Sequence, residues 1–117
     1  MLKRLRTGSA CDGMAVRELR GFFQKGRGLL GTGSDATPVL LRGCSSVHTF
    51  GMAYALDLAF VDGAGTVLRS CENVGPGRIR TCGAARCVIE RPHATSPWLK
   101  RGMRLALVSV NEEKEMR

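Results

Sequence analysis

The stretch Val47-His48-Thr49-Phe50-Gly51-Met52-Ala53-Tyr54-Ala55-Leu56-Asp57-Leu58-Ala59-Phe60-Val61-Asp62-Gly63-Ala64-Gly65, followed by Thr66-Val67-Leu68, decides the fold. From Leu56 to Val61 it is an apolar run broken by one acid and closed by a Gly-containing turn at Asp62 to Gly65, which is the pattern of a buried strand entering a hairpin. Asp57 is the anomaly. A carboxylate inside such a strand loses its hydration, a cost of several kcal/mol unless donors replace the water. It must therefore join a hydrogen-bond network or face a cavity. Just before the strand, His48, Thr49 and Met52 bring an imidazole, a hydroxyl and a thioether within five residues. His48, Thr49, Met52 and Asp57 are accordingly the candidate ligand-binding residues.

Outward from this stretch, Thr66 to Cys71 alternates in polarity and is expected to pair antiparallel with Leu56 to Val61. Upstream, Met14 to Leu19 and Val39-Leu40-Leu41 read as strands, and Arg20 to Leu30 as a helical turn or irregular loop. Downstream, Gly75-Pro76-Gly77 makes Glu72 to Arg78 a polar loop, and Cys87 to Glu90 is a strand stopped by Arg91-Pro92. Ser96-Pro97 carries helix-start chemistry that Gly102 closes, and Leu105 to Val110 is a last strand. Six short strands and one or two short helices predict a mainly β fold, a small antiparallel β-sandwich or barrel. The expected division is a basic flexible arm over residues 1–13, one domain over 14–110 and a charged tail over 111–117.

The 117 residues suffice for one domain that needs no staple to fold. A hydrophobic content of 44% with 24% charged residues is that of a soluble globular chain. The net charge of +8 attracts polyanions without specifying a role. No apolar run approaches 18 residues, so no membrane span is expected, and Gly8, Ser9, Asp12 and Gly13 interrupt any secretory core after the basic start. Five cysteines, an odd number, fit a cytoplasmic protein with reduced thiols.

The order Arg27-Gly28-Leu29-Leu30, Val39-Leu40-Leu41, Ser46 to Met52, Leu56 to Asp62, Val67-Leu68 and Val88-Ile89-Glu90 resembles the DUF192 (UPF0127) family of small prokaryotic proteins. The resemblance spans roughly Val16 to Leu107. It implies a compact, mainly β domain of sandwich-like architecture, and it implies no established activity.

Each candidate chemistry has a plain structural counterpart. Cys44, His48 and Met52, four apart, are the ligand types of a copper site, but that site needs a second histidine and only His93 remains. Otherwise they are a buried thiol, a core thioether and a bonded imidazole. Cys82 and Cys87 lie among Arg78, Arg80 and Arg86, which would activate a thiol, although no further zinc-type ligands follow. Cys44 or Ser46 with His48 and Asp57 has the letters of a nucleophile, base and orienter, without a nucleophile elbow. Gly26-Arg27-Gly28-Leu29-Leu30-Gly31 matches a dinucleotide string without the strand and helix that give it meaning. Arg78, Arg80, Arg86, Arg91, Lys100, Arg101 and Arg104 could meet phosphates, but the aromatics do not interleave with them. The leading expectation is a non-catalytic ligand-binding or protein-interaction module whose polar pocket surrounds His48 to Asp57. A small enzyme or copper-type site using Cys44, His48, Met52 and Asp57 is the alternative, and a weak basic nucleic-acid binder is the third. No cofactor is called for, and the expected partner is a small molecule or protein, with non-specific attraction for polyanions.

Overall fold

The computed structural model describes residues 2–8, 11–19 and 37–109. Nine strands are described: β1 (Leu2–Arg6), β2 (Ala15–Leu19), β3 (Val39–Arg42), β4 (Ser46–His48), β5 (Leu56–Val61), β6 (Val67–Val74), β7 (Ile79–Thr81), β8 (Cys87–Pro92) and β9 (Ala106–Ser109). Seven form one sheet in the order β6-β5-β8-β3-β2-β1-β9, and β4 with β7 forms a second, two-stranded sheet. The fold is mainly β.

The strand that the sequence marked out, β5, lies inside the large sheet, and all six of its residues are buried. A continuous apolar run results when both faces of a strand are covered. Leu56, Leu58 and Phe60 enter a core with Val39, Leu41, Val47, Met52 and Val88. Ala59 and Val61 point the other way, into a core with Leu5, Val16, Leu40, Val67, Ile89, Trp98 and Leu99. Alternation gives Asp57 the parity of this second core.

The large sheet coils around that second core until its edges meet. Thr66 bridges Arg104, and backbone bonds run from Val67 N to Met103 O, from Gly102 N to Val67 O and from Leu105 N to Gly65 O. The turn feeding this seam is held by Asp62, whose Oδ1 accepts the amides of Ala64 and Thr66 at 2.9 Å each. The small β4–β7 sheet covers the first core, to which it contributes Val47.

Several expectations need correction. Residues 2–6 are not a flexible arm: β1 is paired with β2 on one side and β9 on the other, and Leu5 is fully buried. Its basic residues are compatible with a strand because Glu18 of β2, itself buried, takes Lys3 Nζ at 3.0 Å and also bonds Arg42. Burial pushes the Glu18 carboxyl up, but the bonds and charges of Arg42 and Lys3 outweigh it and hold it at about 2. The sheet is not wholly antiparallel, since β2 and β3 run parallel. No helix occurs among the described residues, and 96–102 is an irregular segment ending in a turn. The polar loop at 72–78 is shorter than expected, because β6 continues to Val74 and β7 starts at Ile79. The strand β8 runs on through Arg91-Pro92. Its proline is tolerated because β3 pairs only as far as Glu90, so no ladder on that side needs a donor at position 92. The segment Arg20 to Leu30, the string at 26–31 and the tail at 111–117 lie outside the described residues.

The seam is a tight constraint. Gly65 has φ +90°, and a Cβ there would stand 2.4 Å from the Leu105 carbonyl oxygen. Gly65→Ala is expected to cost at least about 2 kcal/mol, combining left-handed strain with a backbone clash. Gly83→Ala, with open space around it, should stay within about 0.5 kcal/mol of wild type. Urea unfolding of the two variants checks this.

Candidate functional site

Asp57 is fully buried and stands directly opposite Arg91 in the β5–β8 ladder. Its Oδ2 accepts Arg91 Nε at 2.7 Å and, more loosely, the Ala94 amide at 3.4 Å. Its Oδ1 accepts the Asn73 amide at 2.8 Å and meets His93 Nδ1 at 2.8 Å. The Asn73 amide is available because β6 is irregular at this point. The register between β5 and β6 shifts between Leu56 and Leu58, and Asn73 takes φ 55°, a conformation asparagine tolerates better than most residues.

Arg91 is the hub on the other side. Its Nη1 donates to Ser96 Oγ and to Pro97 O, both at 3.2 Å. Its Nη2 donates to Ser96 O at 2.7 Å and Ala94 O at 3.4 Å. The guanidinium carbon lies 4.6 Å from the centre of the Trp98 ring, and Trp98 Nε1 donates to Leu58 O at 3.0 Å. One ion pair thus binds the irregular segment at 94–98 to the sheet. Burial raises the Asp57 carboxyl, yet the bonds from Asn73, His93, Arg91 and Ala94 more than offset this and hold it below the usual carboxylate range. With its oxygens occupied by these donors, Asp57 is a counter-ion and has little capacity left to act as a base.

The imidazole joined to Asp57 is therefore that of His93, not His48. His48 lies exposed on the outer face of β4, opposite Ile79 and with its ring 5.5 Å from that of Phe50. Thr49 is buried and serves the loops. Its Oγ1 donates to Gly75 O at 2.7 Å and accepts the Arg78 amide at 2.8 Å, while its own amide donates to Arg78 O at 2.8 Å. Met52 packs in the first core with Val47, beneath the small sheet and on the side away from His48. Cys44 Sγ donates to Ser46 O at 3.1 Å. The three prospective copper ligands are thus held in separate surroundings. Among the described residues no group of three or more His, Cys, Asp or Glu side chains gathers in a way that could hold a metal ion. Burial pushes the Cys87 thiol up to about 11 despite nearby Arg42, so it is not an activated nucleophile.

The outer face of the small sheet carries an exposed patch instead. Phe50 is 52% and Ile79 58% exposed, and His48 lies between them. Ser46 Oγ and Thr81 Oγ1 are 3.2 Å apart beside it. Arg69 Nη1 donates to Thr81 O at 2.7 Å, and Arg80 Nη1 donates to Ile79 O at 2.8 Å, so guanidinium groups border the patch. A separate cleft of about 340 Å³ opens beside Arg91, walled by Cys11, Asp12, Gly13, Met14, Ser96 and Pro97.

Arg91, His93, Ser96 and Trp98 are the partners that reasoning from sequence missed. The available signal was Arg91 at the end of the Cys87 to Glu90 strand, a cation to answer the acid of β5.

Two solved structures share the fold. A candidate transcription regulator from Sinorhizobium meliloti 1021 is 21% identical, with 92% of this chain and 94% of that chain covered and a TM-score of 0.77. A protein of unknown function from Novosphingobium aromaticivorans DSM 12444 is 15% identical, covering 91% and 84%, with a TM-score of 0.72. No family model and no curated protein matches the sequence. No helix among the described residues is long and apolar enough to cross a membrane.

Removing the Asp57 carboxylate strands the Arg91 charge in the interior. Asp57→Asn is expected to lower stability at pH 7 by roughly 3–5 kcal/mol. His48→Ala, at an exposed position, should change it by about 0.5 kcal/mol or less. Because the folded-state pKa of Asp57 lies below its unfolded value, its contribution is present above the ordinary range near 3.8 and is lost as pH falls through the lowered value. Chemical unfolding between pH 7 and 2 should therefore show a shallower acid limb in Asp57→Asn than in wild type.

Proposed function

We propose that the chain is a non-catalytic binding module of the DUF192 type, and that its contact surface is the outer face of the β4–β7 sheet. The segments carrying the family resemblance supply most of β3, all of β4 and β5, the start of β6 and half of β8. The observation that carries the reading is the joint exposure of Phe50 and Ile79 around the His48 ring. Burying the exposed half of either side chain in a partner is worth about 1 kcal/mol, a gain that solvent exposure forgoes. The partner suited to this surface is a protein segment with apolar or aromatic anchors and acidic flanks, since Arg69 and Arg80 border the patch and the chain carries +8.

The roles of the sequence candidates follow from this reading. His48 is a contact residue. Thr49 fixes the loop behind it, and Met52 supports the sheet from the core, so the surface is ordered before it binds. Asp57 acts at a distance, by holding the large sheet whose first core the β4–β7 sheet covers. A second reading has one observation in its favour: two adjacent rings bordered by arginines also suit a single-stranded nucleic acid, with a base on Phe50 and phosphates on the guanidinium groups. The structural neighbour described as a candidate transcription regulator is compatible with that reading but shares only the fold.

Panning a random-peptide display library on the immobilised protein separates the two. Enrichment of acidic peptides with aromatic anchors is expected, with affinity falling about tenfold or more in Phe50→Ser and Ile79→Ser, while both variants keep the wild-type melting temperature. Failure of any such class to enrich, together with oligothymidine binding whose logarithm falls steeply with log salt, would favour the nucleic-acid reading instead.

A further inference from the structure

We infer that the mouth of the coiled sheet is a second binding site, independent of the β4–β7 face, for a small amphipathic carboxylate. A cleft of about 290 Å³ opens there between the β5–β6 turn at Asp62–Gly65 and the strands β1, β3, β8 and β9. The buried Leu40, Val61 and Ile89 lie beneath it, the half-buried Leu105 and Leu107 form its apolar wall, and Lys3, Arg42 and Asp62 line its rim. Inward-facing residues of neighbouring strands converge on the same space, and its floor is the second core. The volume lies at the lower end of the range for small-molecule sites, which limits the occupant to a short chain or a single ring.

The rim chooses the head group. Glu18 satisfies Lys3 Nζ and Arg42 Nε, but among the described residues nothing meets the two terminal amino groups of Arg42. That side chain is 43% exposed, and its outer edge is the fork geometry that takes a carboxylate through paired bonds. Asp62 lines the same cleft, and its Oδ1 accepts the amides of Ala64 and Thr66, which ties the carboxylate to its own turn. The half-buried Leu105 and Leu107 give a hydrocarbon tail apolar surface to cover, which a bare inorganic anion does not use. Cys87 lines the wall with its thiol in the neutral form, so capture is non-covalent. The site is a receptacle for a free organic acid.

Amide NMR titration of the intact protein with sodium hexanoate, hexanol and acetate at pH 7 tests this. Hexanoate should shift Gly63, Ala64, Gly65 and Cys87 saturably, with hexanol and acetate each binding about tenfold or more weakly because each supplies half of the contact. Arg42→Gln should weaken hexanoate about tenfold or more and leave hexanol unchanged. Because Arg42 also serves Glu18, Ala64→Trp, at the exposed lip of the cleft, provides the second variant and should abolish the shifts by obstruction with the fold intact. Equal binding of hexanol and hexanoate, shifts that persist in Ala64→Trp, or shifts that map to other residues would overturn the proposal.

Discussion

A carboxylate that cannot reach water must be given donors by the protein, and most of this architecture can be read as the answer to that demand at Asp57. The cross-strand partner is Arg91, a cation equally removed from solvent. Neither charge is tolerable without the other, since an isolated buried ion costs far more than one hydrogen bond returns. The remaining donors of Arg91 are spent on Ala94, Ser96 and Pro97, so an ionic contact between two strands becomes a tether for a segment without regular structure. That segment delivers Trp98 and Leu99 to the interior. With no helix among the described residues to supply bulk, the coiled sheet is filled from one end by this tethered chain.

The other end is treated differently. Glu18 gathers Lys3 and Arg42, and these residues lie near Cys87, about four residues or roughly 13 Å along β8 from Arg91. In one charged cluster the Arg91 donors are taken up by Asp57 and the 94–97 segment, while the other borders a cleft with guanidinium donors to spare. The contrast is between a device that holds the fold together and a rim that is free to meet something else. A third region, the β4–β7 face, is stabilised by the buried hydroxyl of Thr49 and leaves Phe50 and Ile79 in solvent.

The strand β5 and its hairpin were legible because their signals are local: an apolar run, a turn with glycines and an alternating return strand. The predicament of Asp57 was legible for the same reason. Its solution was not. His48 is near in sequence, whereas Arg91 and His93 lie 34 and 36 residues away and are brought in by strand register, which no local pattern specifies. The strand β1 was hidden by its cations, whose partner is buried in β2, and β7 by the Gly-Pro-Gly turn that precedes it. The expected helix at Ser96 failed because the Ser96 hydroxyl and carbonyl accept from Arg91 instead of capping a turn. At β1 and at Ser96 a tertiary partner overrode the local propensity.

The central claim is that Asp57 and Arg91 act as one unit. A double-mutant cycle with Asp57→Asn, Arg91→Met and the double variant, followed by urea unfolding at pH 7, measures that directly. A coupling energy of about 2 kcal/mol or more is expected, with the double variant more stable than the sum of the single losses allows. Single losses that add to within about 0.5 kcal/mol would contradict it, because the two charges would then be supported by separate surroundings and not by each other.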